Sequence, residues 1–120
     1  RDALLWNDTR SAASAVQLID ELGGPQACAD ALGSVLVASF TSTKLRWLRD
    51  HEPAAAARVA GVLLPHDYVS AHAAAPGTPP FTDRGDASGT GYFSAGALGG
   101  VGRWRPDLLA SALGREAEVP

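Results

Sequence analysis

Three stretches of this chain gather side chains that can do chemistry or hold a polar ligand. The first is Leu4-Leu5-Trp6-Asn7-Asp8-Thr9-Arg10. An apolar run ending in Trp-Asn-Asp sets an indole face beside an amide and a carboxylate, and in open α/β sheets ligands bind outside the carboxyl ends of strands. A flat ring beside hydrogen-bonding groups suits a sugar, which has C–H faces and hydroxyl edges. The same residues serve equally as a core tryptophan and a helix cap, Asp8 or Thr9 accepting from the free N–H groups of a first turn. The second stretch runs from Ser39 to Leu48: Ser39 sits at a turn and can face a ligand, Phe40 packs, and Thr41 is the expected helix cap. The third pairs Leu63-Leu64-Pro65-His66-Asp67-Tyr68 with Thr82-Asp83-Arg84-Gly85-Asp86-Ala87-Ser88-Gly89-Thr90. Structural roles explain it: His66 and Asp67 as caps, Tyr68 toward the core, Asp86 and Ser88 capping a short helical turn.

Other signals fail on inspection. The glycine-rich run Gly96–Gly102 lacks the Gly-Lys-Ser/Thr ending of a phosphate loop and reads as a flexible hairpin loop. No Gly-x-Ser-x-Gly elbow is present. His51, His66 and His72 do not make a metal spacing, so no metal ligands are expected. Arg84-Gly85-Asp86 matches an adhesion tripeptide, a match too short to carry meaning.

The elements that must position these residues follow from punctuation and periodicity. Ala3–Trp6 reads as a short buried strand feeding a helix to about Leu22, with Ala12, Ala15, Val16, Ile19 and Leu22 on one face. Gly23-Gly24 ends that helix, and Pro25 starts a short one through Leu32. Ser34–Phe40 reads as extended. Thr41–Asp50 reads as a helix with Leu45 and Leu48 inward, Lys44, Arg46, Arg49 and Asp50 outward, and Trp47 at the edge of the buried face. A helix from Pro53 to about Ala60, a strand at Gly61–Leu64 and a helix at Pro65–Ala75 follow. Tyr92–Ser94 and Arg103–Arg105 make a small hairpin, Pro106–Leu113 a last helix stopped by Gly114, and the polar tail frays. Helices alternating with short apolar strands indicate an α/β protein, helix-rich and with few strands.

Length and composition set the outer limits. At 120 residues the chain suffices for one compact domain. A net charge of −3 argues against a broad nucleic-acid surface, and no apolar run approaches the ~20 residues of a membrane span. Cys28 stands alone, so no intrachain disulfide forms and a cytoplasmic setting is expected. No secretory signal pattern is read at the start. The opening on Arg1-Asp2, without Met and straight into an apolar run, reads as a cut within a larger domain.

Taken together and in order, the segments at 4–10, 40–48, 51–53 (His-Glu-Pro), 63–68 and 82–90 resemble the FGGY carbohydrate kinases, closest to the xylulokinases in the Trp-Asn-Asp and Asp-Ala-Ser-Gly-Thr versions. The resemblance implies an actin-like, ribonuclease-H-like fold in two domains with sugar and ATP between them. Residues 1–120 would then be part of the N-terminal, sugar-binding domain of an ATP-dependent pentulose kinase acting on D-xylulose. It also implies that Trp6 is the aromatic wall of the sugar pocket, with Asn7 and Asp8 as polar neighbours and Ser39 on the substrate side; Asp8 can instead pair with Arg10 or cap the helix. ATP, Mg²⁺ and the catalytic base belong to segments outside these residues, so no catalytic residue is expected here and the isolated chain is expected to be inactive. The expected partner is a small sugar; family members are often dimers, which leaves a homodimer possible without the sequence fixing the oligomeric state. A non-catalytic sugar-binding domain and a truncated product without activity are the alternatives. Two departures from the family pattern concern folding: Ala71 and Ala73 thin the packing face of their helix, and the Gly96–Gly102 loop is longer and richer in glycine.

Overall fold

Proline and glycine fix most helix boundaries. The computed structural model describes residues 2–96 and 100–120, so residues 97–99 of the expected glycine-rich loop lie outside the described residues. Helices α1 (Ala12–Glu21), α2 (Pro25–Leu32), α3 (Thr41–His51), α4 (Pro53–Ala56), α5 (Pro65–Ala73), α6 (Arg84–Ser88) and α7 (Pro106–Leu113) carry the architecture. Four of them, α2, α4, α5 and α7, open on proline, which has no N–H to leave unpaired and a φ preset for the first turn. Strands β1 (Phe93–Ser94) and β2 (Arg103–Trp104) pair antiparallel, with Phe93 opposite Trp104, as the sequence indicated. None of the helices formed by the described residues is long and apolar enough to cross a membrane.

Helix α3 is the hub. It packs most extensively against α7 and then against α4 and α1. Its Leu45 joins Leu18 of α1, Leu36, Tyr92 and Leu109 and Leu113 of α7 in one apolar core. Burial of each such side chain contributes roughly 1.5–3 kcal/mol. Tyr92 and Phe93 both lie against Trp104, with ring centroids 5.8 and 5.0 Å apart.

Several expectations are corrected. Ala3–Trp6 forms no strand and is not buried: Leu5 and Trp6 are 66% and 79% exposed. Ser34–Phe40 is likewise no strand; Leu36 alone of its valines and leucine is buried, and the carbonyls of Val37 and Ala38 turn to the Thr43 hydroxyl, 3.4 and 3.2 Å away. At Gly61–Leu64 only an isolated parallel bridge forms, Gly61 to Glu118. The physical reason is common to all three: an apolar run becomes a strand when another strand satisfies its N–H and C=O groups, and among the described residues only the short hairpin forms a sheet. The same bridge corrects the tail. The Val62 N–H donates to the Glu118 carbonyl (2.9 Å) and the Glu118 N–H to that of Ala60 (2.9 Å), while Ala117 and Val119 pack on the core.

Faces and caps differ too. The buried face of α1 is Ser14, Ala15 and Leu18, leaving Val16 58% exposed. Its N-cap position is Ser11, not Asp8 or Thr9, and that of α3 is Phe40, not Thr41. Arg46 points inward, helix α4 stops at Ala56, and Tyr68 is 55% exposed, lying on His72 with ring centroids 4.0 Å apart. In α5 only Asp67 is buried, in keeping with the thin alanine face. The cap of α6 is Asp83, whose carboxylate accepts from the Asp86 N–H at 3.0 Å.

Candidate functional site

Trp6 and Asn7 are the two central residues of a turn. The Asp8 N–H donates back to the Leu5 carbonyl at 3.1 Å, which closes Leu5–Asp8 and leaves both central side chains exposed. Asp8 is half-buried, and its Oδ1 accepts from both the backbone N–H and the Nε of Arg10, each at 3.0 Å. It pairs with Arg10 rather than capping α1, whose N-cap position is Ser11. The Arg10 backbone N–H, then the Arg10 side chain, with Lys44 adding charge, hold the Asp8 carboxyl below its usual range against a smaller opposing effect of burial.

The turn is held against α3. Arg10 lies over the Trp47 ring at 5.0 Å from its centroid, and Trp47 in turn stacks on His51 at 4.8 Å and 11°. One turn earlier on the same helix, Lys44 Nζ donates to the Leu5 carbonyl at 2.6 Å. Residues three apart share a helix face, so Lys44 and Trp47 make one platform. Burial lowers the Lys44 ammonium and the Asp8 carboxylate partly offsets that.

Ser39 is exposed on the turn that enters α3. A hydroxyl network ties this turn to the start of α1: Ser11 Oγ donates to the Ala38 carbonyl at 2.9 Å, and Thr43 Oγ1 lies 2.8 Å from the Phe40 carbonyl and 3.3 Å from Ser11 Oγ. The segments bearing Trp6–Asp8 and Ser39 thus meet through Ser11 and Thr43. Among the described residues no hydrogen bond joins Ser39 itself to Trp6, Asn7 or Asp8. Sequence reading missed Lys44, Trp47 and Thr43 as parts of this corner, since long-range contacts leave no local pattern and Lys44 looks like any solvated lysine on a helix.

A second grouping was also missed. Ligand atoms of His66, Asp83 and Asp86 lie within 4.8 Å of one another, across the proline-rich loop. His66 Nε2 is 2.9 Å from Asp86 and 3.1 Å from the buried Asp67. Asp67 is partnered as well by the Leu64 N–H at 3.3 Å, half of a capping box. The hydrogen bond and charge of Asp83, with some burial, raise the Asp86 carboxyl, while the Asp86 N–H lowers that of Asp83. His66 and the two carboxylates stand on opposite sides of the proline-rich loop, so no local spacing in the sequence marks the group.

A cleft of ≈ 550 Å³ lies elsewhere, lined by Phe81, Phe93, Trp104 and Arg84 among others. Its one arginine is committed: Arg84 donates to the carbonyls of Gly100 (2.7 Å) and Ala95, clasping the two arms of the hairpin.

The family model for the N-terminal domain of the FGGY family of carbohydrate kinases matches residues 1–112. A xylulose kinase of Streptomyces coelicolor is 57% identical over 96 residues, covering 80% of this chain and 19% of that protein. A xylulose kinase of Streptomyces rubiginosus is 53% identical over the same length and shares. The crystal structure of xylulose kinase from Bifidobacterium adolescentis superposes with a TM-score of 0.82 at 38% identity, over 94% of this chain and 26% of that one. The matched region thus spans about a fifth of the length of these two Streptomyces relatives.

Proposed function

The chain belongs to the FGGY family of carbohydrate kinases, and on that premise we propose that it is part of the sugar-binding domain of a longer, ATP-dependent, cytoplasmic pentulose kinase. The reaction is phosphoryl transfer to D-xylulose, giving D-xylulose 5-phosphate. The observation that carries this reading is the identity to xylulose kinases of 57% over most of the chain. The role of these residues is one wall of the sugar pocket. Trp6 offers its exposed indole to the C–H face of the sugar, while Asn7, Asp8 and Ser39 offer hydrogen-bonding groups to its hydroxyls. The rigid seat of the Leu5–Asp8 turn on α3 supports that role, because positioning is most of what a protein contributes to phosphoryl transfer.

The arginines best suited to ATP phosphates are committed within the chain. Arg10, Arg46, Arg84 and Arg105 already serve carboxylates or carbonyls of this chain, so they form no phosphate cradle. We assign ATP and Mg²⁺, and the base that takes the hydroxyl proton, to other segments of the longer protein.

Coupled-assay kinetics test the reading. The longer protein is expected to form ADP in a D-xylulose-dependent way, and the 120-residue chain alone to form none. Trp6→Ala in the longer protein is expected to raise the KM for xylulose about tenfold, equivalent to ~1.4 kcal/mol, with the KM for ATP unchanged. Absence of xylulose-dependent turnover in the longer protein would overturn the assignment.

A further inference from the structure

The Trp6–Asn7 turn lies outside any helix or sheet, yet a binding wall must hold its shape. Its pivot is the Leu5 carbonyl. That oxygen accepts from the Asp8 N–H at 3.1 Å, which closes the turn, and from Lys44 Nζ at 2.6 Å, which fixes the turn to α3. A carbonyl has two lone pairs, and here both are used. The second bond is charge-assisted and spans two segments far apart in sequence, so it constrains where the turn sits as well as its local shape.

The surroundings of Lys44 make this role specific. Its aliphatic stem is half-buried on the most heavily packed helix of the molecule, so the ammonium is delivered from a rigid base. Asp8, at the far end of the same turn, is its nearby carboxylate and is itself clamped by Arg10. Arg10 in turn rests on Trp47, one turn further along α3. The start of the turn is thus held by Lys44 and its end by Arg10 on Trp47, both from one face of one helix.

We propose that Lys44 is a positioning residue for the sugar pocket, setting the orientation of Trp6 and Asn7 through the Leu5 carbonyl. This rests on the reading of Trp6 as a sugar-facing wall. The ammonium need not touch the sugar. What it supplies is a fixed turn that meets the ligand without having to be ordered at binding, and preorganisation of this kind appears as affinity.

Steady-state kinetics of the full-length kinase carrying this chain test it. Lys44→Met keeps the stem and removes the donor. It is expected to raise the KM for D-xylulose about five- to tenfold while kcat and the KM for ATP stay within about twofold. Lys44→Arg, which retains charge and donors, is expected to recover most of the lost affinity. A merely structural lysine would lower thermal stability without this split between KM and kcat and without rescue. Should Lys44→Met melt below the assay temperature, Lys44→Leu, which also lacks a donor, takes its place; the same rise in KM supports the proposal, and a parental KM overturns it. Trp6→Ala separates the two levels. If Trp6→Ala raises the xylulose KM and the Lys44 variants do not, the positioning role is wrong and the wall stands. If neither substitution moves it, the wall itself is wrong, and the positioning role falls with it.

Discussion

Arg46 sits in the heart of the helical packing at 4% exposure, and its guanidinium donates through both Nη groups to the Glu21 carboxylate of α1 (2.8 Å for one of them). Its Nε is buried without a protein partner. The pair is asymmetric: the Glu21 side chain keeps 49% of its exposure while that of Arg46 keeps 5%. Removing the carboxylate strands a buried cation, whereas removing the cation leaves a carboxylate that water can reach. Glu21→Ala is therefore expected to cost about 1–3 kcal/mol, a range lowered for solvent screening on the glutamate side. Arg46→Met, which fills similar volume, is expected to cost less. Urea denaturation of the two variants gives the order directly, and the reverse order would contradict this account. Lys44 and Arg46 look alike on a helical wheel as solvated cations. Only their surroundings separate them, one reaching a backbone carbonyl and the other, itself buried, reaching a half-exposed carboxylate.

Helix α3 and the entry to the hairpin meet where Gly91 crosses the first turn of the helix. The Ser42 N–H, one of the free donors of that turn, gives its bond to the Thr90 carbonyl at 2.8 Å. Close approach requires glycine next in the chain: Gly91 has φ +79°, and a Cβ there would stand 2.1 Å from Ser42 Oγ and 2.7 Å from Leu36 Cδ2. Gly33, the left-handed end of α2, has a similar φ of +85° but open space around it. The two positions separate conformational strain from collision. Gly33→Ala is expected to cost about 1–2 kcal/mol through the backbone alone. Gly91→Ala is expected to cost more, about 2–4 kcal/mol, because overpacking adds to the strain. Equal losses of thermal stability in the two variants would show that the crossing at Gly91 is looser than its geometry states. The punctuation that fixes helix ends was legible in the sequence at Pro25, Pro53, Pro65, Pro106 and Gly114. The crossing at Gly91 was not, because nothing local distinguishes a glycine needed for approach from one that merely ends an element.

Across the whole molecule, the core gathers helices α1, α2, α3 and α7 around Tyr92, the residue through which the hairpin enters it. Burial, with a smaller contribution from the Asp67 charge, pushes the Tyr92 phenol above its ordinary range. A phenol raised on folding favours the neutral form in the folded state. Its contribution to stability is complete below the unfolded value near ~10 and is lost as pH rises beyond it. Urea midpoints measured at pH 8 and above pH 10 are expected to fall more for the parent chain than for Tyr92→Phe; parallel profiles would rule out this origin. At the same scale, Leu5, Trp6, Val16 and Val37 remain more than half exposed, and the matched region spans about a fifth of the Streptomyces coelicolor relative.

The sequence by itself determined the family, through ordered motifs that each depend on residue identity: Trp-Asn-Asp at 6–8, the Phe-Thr-Ser-Thr-Lys run at 40–44, and Asp-Ala-Ser-Gly-Thr at 86–90. It also determined where most helices lie, because proline and glycine placement acts within a few residues, while caps and buried faces were set by packing. Tertiary structure alone decided that the runs at 3–6, 34–40 and 61–64 form no sheet, since a strand is defined by a partner elsewhere in the chain. It alone seated the Trp6–Asn7 turn on Lys44 and Trp47 and drew His66 to Asp83 and Asp86. Each of these depends on side chains brought within a few ångströms by packing, a distance that separation along the chain does not encode.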